Sequence, residues 1–551
     1  MELRLVQVSA MEKIRPQGIG NAIPVESKQL MGGEQFSYQL ALETPERVEL
    51  THEVESPIAQ WVRVYSVVNT VMDVACYQSA DDDYLTKEPG IMPDMLLPME
   101  GVDGRVHLTN QAGALWVRVC VPEDAPAGEY PIRIKLHAKT LREEMDLAST
   151  MTIRVTGRNV LPQKTLFTQW FYADCIADVH KVEIYSEAHW ALIEKYMAMA
   201  RELGINMLLT PVITPPLDTE IGASRPNVQL VKMEKTEDGY RFDFRLLDRW
   251  VDLCQKHGIL HFEMSHLFSQ WGLSATPNIW ITENGEEKLM FGWHVPARSQ
   301  EYREFLSQFL PALIGWLKEK GIKEQTWFHI SDEPHPEHIE NYQYAKELIV
   351  PLIDGCTTID ALSDYSFCQR GLVQIPVTKN DHIEPFLEHK LPRQWVYYCC
   401  SQNQLVGNRY LAQPSYRNRI LGLQIYKFGC EGFLHWGFNF YNSRKSVKKL
   451  NPFMYTGGDQ GFPSGDPFSV YPVEDGVVPS LRAVIFREAL QDIEICRTLE
   501  GYIGKQAVVD MIDEAAGQPL TFSCYPRNSR YIPELMEKME MMILNFVREG
   551  K

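Results

Sequence analysis

A chain of 551 residues is too long for one hydrophobic core, and its 45% hydrophobic and 23% charged content is that of ordinary folded domains, so two or more domains are expected. The formal net charge of −18 argues against a nucleic-acid partner and against adhesion to anionic membranes, since both need a basic surface. No run approaches the roughly 18 apolar residues of a membrane span.

Met1 to Gly20 lacks the apolar stretch of a secretion signal, and the eleven cysteines include no CxxC pair, with Cys399 and Cys400 simply adjacent. The expectation is a cytoplasmic protein with reduced thiols, no structural zinc and no cofactor. Its fifteen histidines show no HExxH. His335 and His338 stand three apart at a helix start, and all are read as solvated or hydrogen-bonded, so no metal site is expected. Neither a GxSxG elbow nor a phosphate loop occurs. The oligomeric state is not encoded in any pattern we can read.

Residues 1–157 read as a β-sandwich. Leu3–Ser9, Phe36–Leu42, Val48–Val54, Trp61–Val68, Gly113–Val121, Tyr130–His137 and Met151–Val155 are strand-length and rich in β-branched and aromatic residues. Gly157 to Pro162 is the expected linker. From there to about residue 500 strands and helices alternate. The expected strands are Leu166–Asp174, Asn206–Val212, His261–Leu267, Gln325–Ile330, Thr357–Leu362, Leu372–Val377, Gln394–Cys400 and Gly432–Gly437. Helices are expected from Ser186 to Gly204 and over Phe244–His257, Gln300–Lys320, Pro336–Ile353, Tyr416–Phe428 and Ser480–Glu500. Eight such units predict a (β/α)8 barrel over 164–500, and 501–551, with a helix at Ile532–Glu549, reads as a helical tail packed on it.

In such a barrel the reactive side chains stand at the carboxyl ends of the strands. Those ends hold Asp174, His266, Asp332, Glu333, Asp360, Tyr398 and Trp436, a mixture of carboxylates, aromatics and a histidine that suits a sugar. Trp327 to Pro334 (WFHISDEP) is the sharpest signal, because it delivers two adjacent carboxylates where Pro334 leaves the ladder. Two readings are open there: a reactive pair turned to the mouth, or acidic residues that charge the next helix start. The proline-rich segment 206–219 is either a rigid loop or a substrate contact. Phe433 to Asn439 is either a sugar platform centred on Trp436 or barrel filling. Gly465 to Pro472 reads as a loop closing over a pocket, with Tyr471 as a contact.

Ser331 to Pro334 resembles the catalytic strand end of glycoside hydrolase family 123, the β-N-acetylgalactosaminidases and their relatives. Trp116 to Pro122 with Ala127 to Tyr130, Gln169-Trp170, Ser186 to Trp190, Thr214 to Thr219, Gly432 to Gly437, and Gly465 to Pro472 with Arg482, Arg487 and Asp492 are similar to other parts of that family, over roughly residues 100–500. The resemblance implies a glycan or glycoconjugate substrate and a retaining, substrate-assisted reaction. In it Asp332 stays ionised and orients the 2-acetamido group, while Glu333 starts protonated and serves as acid, then base. The substrate contacts expected around this pair are Trp170, Asp174, His266, Asp360, Tyr398, Trp436, Asn439 and Tyr471. Two alternatives stand beside it: a glycosidase on a non-acetamido sugar that pairs Asp332 or Glu333 with Glu263 or Asp360, and a non-catalytic carbohydrate-binding protein.

Overall fold

The computed structural model describes residues 2–99 and 106–548. Its N-terminal part is one eight-stranded sheet built from Arg4–Ser9, Ser27–Gly32, Gln35–Glu55, Val62–Met72, Gly90–Pro98, Val106–Cys120, Gly128–Lys139 and Glu144–Asn159. The expected strands Phe36–Leu42 and Val48–Val54 are a single strand, because a register shift between Thr44 and Arg47 absorbs the polar break between them. Along one edge this strand pairs with Val106–Cys120. Its other edge passes from Arg4–Ser9 to Gly128–Lys139, which curls the sheet around one core.

Alternation then decides what each face touches. Leu40, Leu42, Leu115, Val117, Ile132, Ile134 and Ile153 fill the core inside the β domain. Their neighbours Ala41, Ala114 and Trp116 turn outward and join the apolar cluster of the barrel. The strands Ser27–Gly32 and Gly90–Pro98 escape sequence reading, since Lys28, Gln29, Pro93 and Asp94 interrupt the apolar pattern.

The second part is a closed parallel barrel of Leu166–Gln169, Met207–Thr210, His261–Met264, Thr326–Phe328, Thr357–Ala361, Ile375–Lys379, Trp395–Tyr397 and Gly432–His435. All eight expected strands are present and shorter, and the sixth is also shifted, running two residues past its expected end to Lys379. Ser186 caps the helix Glu187–Glu202 by accepting from the His189 amide, and Gly321 ends Gln300–Lys320 in the left-handed conformation. Gly422 has a steric role. A Cβ there would lie 2.2 Å from the Ala489 carbonyl, so only glycine lets the helices Ser415–Phe428 and Leu481–Ile503 approach this closely.

Two features lie outside the expected pattern. The loops after the second and third barrel strands build a four-stranded sheet of Lys232–Thr236, Gly239–Asp243, Ile279–Glu283 and Glu286–Phe291. It is anchored by Tyr240 and Phe242 on Phe305 and Phe309. The tail forms helices Lys505–Ala516 and Tyr531–Arg548; Glu549, the expected end of the last helix, lies outside the described residues. That helix reaches the β domain as well as the barrel, since Lys28 bonds both oxygens of Glu540 at 2.7 and 2.6 Å. Among the described residues no helix is long and apolar enough to cross a membrane, and the eleven cysteines are unpaired.

The joint around Glu540 holds more acid than base. Glu34, Glu488 and Asp492 share it with Glu540, against Lys28 and Arg419. Burial pushes Glu540 up to about 7, and Lys28 only partly restores the balance. A carboxyl whose folded value is raised contributes stability that is full below its unfolded value of 4.5 and is lost as pH rises through about 7. The thermal midpoint should therefore fall between pH 5 and pH 7.5, and Glu540→Gln should flatten that fall. An unchanged slope in Glu540→Gln would rule this origin out.

Candidate active site

The fourth barrel strand ends at Phe328, and the six residues that follow decide the site. The chain leaves the ladder, and the Asp360 carboxylate takes over by accepting from the Ile330 and Ser331 amides at 3.0 and 3.2 Å. Tyr342 donates its hydroxyl to the other Asp360 oxygen. Glu333 then adopts φ +44°, a conformation that costs a non-glycine residue on the order of 1 kcal/mol. Its amide is fixed on the Ala361 carbonyl at 3.1 Å, while the Asp332 carbonyl accepts from Trp271 at 3.3 Å. In a straight strand adjacent side chains would oppose each other. This turn brings both carboxylates to one cavity.

That cavity has a volume of about 200 Å³. Asp332, Glu333 and Tyr397 form one side, and Trp170, Tyr172, Asp218, Trp271, Trp436, Arg444 and Phe462 close the rest. The aromatic faces supply apolar surface for a sugar ring, and the carboxylates supply hydrogen-bond acceptors. Trp436 is held by its indole N–H on Asp466 at 2.9 Å and by a tilted ring contact with Phe462.

Glu333 is contacted on Oε1 by the Tyr397 hydroxyl and by the Lys379 ammonium at 3.3 Å. Burial opposes the Lys379 charge, but Glu333 beside it more than restores it, so this lysine lies above its ordinary value. Asp332 is 8% exposed. Burial and the charge of Glu333 hold its carboxyl well above the usual range, against the opposing pull of His329 and Lys379. The sequence reading expects an ionised Asp332, a form that burial and the neighbouring Glu333 disfavour.

Beneath the pair lies a sealed polar layer. Glu263 accepts from Trp170 Nε1 at 2.6 Å, Thr168 Oγ1 at 2.7 Å and His329 Nε2 at 2.5 Å. On its other side His329 faces Asp360 at 3.4 Å. Burial alone would strip its charge, but the two carboxylates push His329 up to about 9, so an imidazolium lies under Asp332. His266 stacks on it at 4.2 Å and is held well below its ordinary value by burial and by that charge.

The expected contacts divide accordingly. Asp332, Glu333, Trp170 and Trp436 line the cavity, and the others do not. Asp174 lies in the helix Ala173–His180, because the first strand stops at Gln169, and its carboxylate is occupied by Arg225 at 2.6 to 3.0 Å. His266 and Asp360 are fully buried in the layer below. Tyr398 points away and donates to Asn418 at 3.0 Å; the strand ends at Tyr397, and one residue of parity separates the two rings. Asn439 braces the wall by bonding the Tyr172 amide and carbonyl at 2.9 and 3.0 Å.

Tyr471 donates to Asp94 of the β domain at 2.6 Å, beside the Arg482–Asp94 pair. Gly465 to Pro472 therefore seals the joint between domains and does not close over the pocket. Sequence reading misses Tyr397, Lys379, Asp218, Trp271 and Arg444. Only strand parity and strand ends could have singled out Tyr397 and Lys379, which closes the sixth barrel strand; Asp218 lies in the proline-rich segment 206–219, and Trp271 and Arg444 come from loops with no local signal. Among the described residues no cluster of three His, Cys, Asp or Glu side chains is arranged to hold a metal ion.

A (β/α)8 barrel with acidic and aromatic side chains around one cavity at the carboxyl ends of its strands is the architecture of many glycoside hydrolases. The family model "Glycoside hydrolase 123, catalytic domain" matches residues 170–499, more than half of the chain, and the protein belongs to that family. A family 123 glycoside hydrolase from Clostridium perfringens is similar in structure, with a TM-score of 0.76, 15% sequence identity and coverage of 100% of this chain and 99% of that one. A Parabacteroides merdae β-glucuronidase matches at a TM-score of 0.31, with 10% identity and coverage of 90% and 53%. An endo-β-1,4-mannanase from Thermotoga petrophila matches at 0.35, with 13% identity and coverage of 60% and 77%; both scores are too low to bear on the fold. A search of curated proteins finds no match.

Proposed function

We propose that this glycoside hydrolase is a retaining exo-β-N-acetylgalactosaminidase in which the substrate's own acetamido oxygen is the nucleophile. The observation that carries the reading is the convergence of Asp332 and Glu333 on one cavity. The carboxylates that a conventional mechanism would recruit, Glu263 and Asp360, are buried and held by hydrogen bonds behind the wall. The resemblance of Ser331 to Pro334 to the family's catalytic strand end assigns the roles.

With a β-linked N-acetylhexosamine in the cavity, Asp332 accepts the acetamide N–H and its carbonyl oxygen attacks C1. The C1–O bond to the leaving group breaks, and Glu333 gives its proton to the departing oxygen. A bicyclic oxazolinium remains, its positive charge facing Asp332 over the His329 imidazolium. Water then attacks C1 while Glu333 takes a proton from it, and the C1–O bond of the oxazolinium breaks to return the acetamide, which restores the carboxylic acid and the β configuration. Asp332 begins with a raised value because it is buried beside another acid. The amide donor and the charge developing next to it favour its ionised form, so its stabilising effect is concentrated in the transition state.

A glycosidase on non-acetamido sugars is the second reading, and Asp218 is what favours it. This third carboxylate lines the same cavity, and burial pushes it up to about 6, against the opposing Lys445 amide. Parallel hydrolysis of aryl β-GalNAc, β-GlcNAc, β-galactoside and β-glucoside separates the two readings. We expect turnover confined to the acetamido sugars and tight inhibition by an oxazoline-mimicking thiazoline. Turnover of the galactoside or glucoside without thiazoline inhibition would assign the conventional mechanism, and no turnover on any glycan would leave a binding protein.

A further inference from the structure

Cys399 and Cys400 are adjacent in the chain, and both line the cavity that holds Asp332 and Glu333. They follow directly on the strand Trp395–Tyr397, which carries the Tyr397 hydroxyl to Glu333. Neighbours in a strand would face opposite ways. Here the Gln402 amide donates to the Cys399 carbonyl at 3.3 Å, and the turn so closed brings both thiols to the same wall. Each is half-buried and unpaired. Cys399 Sγ lies 3.3 Å from both Ser401 Oγ and Gln402 Oε1. The Cys400 thiol is in hydrogen-bond contact with the Cys399 thiol and with the Tyr77 hydroxyl. The Lys379 ammonium, 3.3 Å from Glu333, is within electrostatic reach of Cys399. The hydrolysis described above uses neither thiol.

We propose that Cys399 and Cys400 form a covalent modification site in the cavity wall, where a small disulfide of the glutathione type converts the two thiols into a vicinal disulfide and stops turnover. The Cys399 side chain and burial hold Cys400 well above the ordinary thiol value, so Cys399 enters first. Its thiolate attacks one sulfur of the incoming disulfide, whose S–S bond breaks and releases one small thiol. Cys400 then gives up its proton and attacks Cys399 Sγ; the mixed S–S bond breaks and releases the second small thiol. Two electrons pass from the pair to the incoming disulfide, and the two thiol protons end on the released thiols. Both products obstruct hydrolysis. A glutathionyl group on Cys399 stands in a cavity of about 200 Å³ in place of a sugar. The closed ring draws the two sulfurs to about 2.05 Å, which pulls Cys399 off Ser401 and Gln402 and shifts the segment that follows Tyr397. Glu333 then loses the fixed position of its hydroxyl partner.

The test incubates the full chain with oxidised glutathione, follows hydrolysis of whichever aryl glycoside it turns over, and maps its cysteine peptides by mass spectrometry. Wild type should lose at least about tenfold in kcat/KM, as expected when a supporting group is misplaced. The peptide holding Cys399 and Cys400 should become lighter by two hydrogens, and dithiothreitol should reverse both changes. Cys399→Ser should keep its own starting rate in the oxidant, and Cys400→Ser should stop at a glutathione adduct on Cys399. Both thiols remaining free in wild type, or a closed ring with the rate unchanged, would overturn the proposal. So would equal inactivation of Cys399→Ser, which would move the reaction to another thiol such as the exposed Cys524. The mass change in wild type depends on no variant and on no choice of sugar. Should the chain turn over no glycoside, the hydrolase reading fails by itself, and ring formation still decides this one.

Discussion

Glu333→Gln should lose on the order of 10²–10⁴ in kcat on a disaccharide substrate and far less on an aryl glycoside with a nitrophenolate leaving group. The reason is chemical: an alkoxide cannot depart at neutral pH without a proton, whereas an activated phenolate can. The substitution keeps the volume and the hydrogen bond to the Tyr397 hydroxyl, so the fold and the neighbouring Asp332 should be little disturbed. Azide, which replaces water in the second step without needing a base, should restore part of the activity on the aryl substrate and yield a β-glycosyl azide. Equal losses on both substrates would remove Glu333 from the acid role.

Asp332→Asn is the second large effect. An amide can still sit beside the acetamido group, but it brings no negative charge to the oxazolinium. Loss of such preorganised stabilisation in a water-excluded site costs on the order of 10²–10³ in kcat, and here it should fall on aryl and natural substrates alike. This is the opposite of the Glu333 pattern. The thiazoline should lose affinity by a similar factor, because it imitates the intermediate that Asp332 is proposed to stabilise. The buried imidazolium strengthens the expectation. His329 is held charged by Glu263 and Asp360, and together with Lys379 it opposes the rise in Asp332 that burial and Glu333 impose. A tenfold loss or less, with thiazoline binding intact, would mean that the acetamide is held by something else.

The two effects also separate the roles of adjacent residues that no single measurement would resolve. Leaving-group dependence reports on Glu333, and affinity for the intermediate mimic reports on Asp332. Both read the same turn at φ +44°, and a variant that straightened it would lose both at once.

Much of the architecture was legible along the chain. The barrel strands announce themselves as short apolar runs between capped helices, and the pair at 332–333 stands out because Pro334 ends its strand. These are local signals: period, cap and breaker are written in neighbouring residues. The misreadings share one cause. Asp174 lies past the end of its strand at Gln169, and Tyr398 past the end of its own at Tyr397, because the last ladder residue depends on the neighbouring strands. The loop sheet from Lys232 to Phe291 was missed because its short polar strands pair only with one another.

By itself, then, the sequence determined two domains, the order of eight strands and the position of two adjacent acids, since each follows from residues close together in the chain. Tertiary structure alone decided which groups meet those acids. Tyr397 and Lys379 reach Glu333 across 64 and 46 positions, Glu263 and Asp360 are taken up beneath Asp332, and Asp174 is claimed by Arg225. Such pairings are settled by barrel closure and by burial, which forces each charge to find a partner in space regardless of its place in the chain.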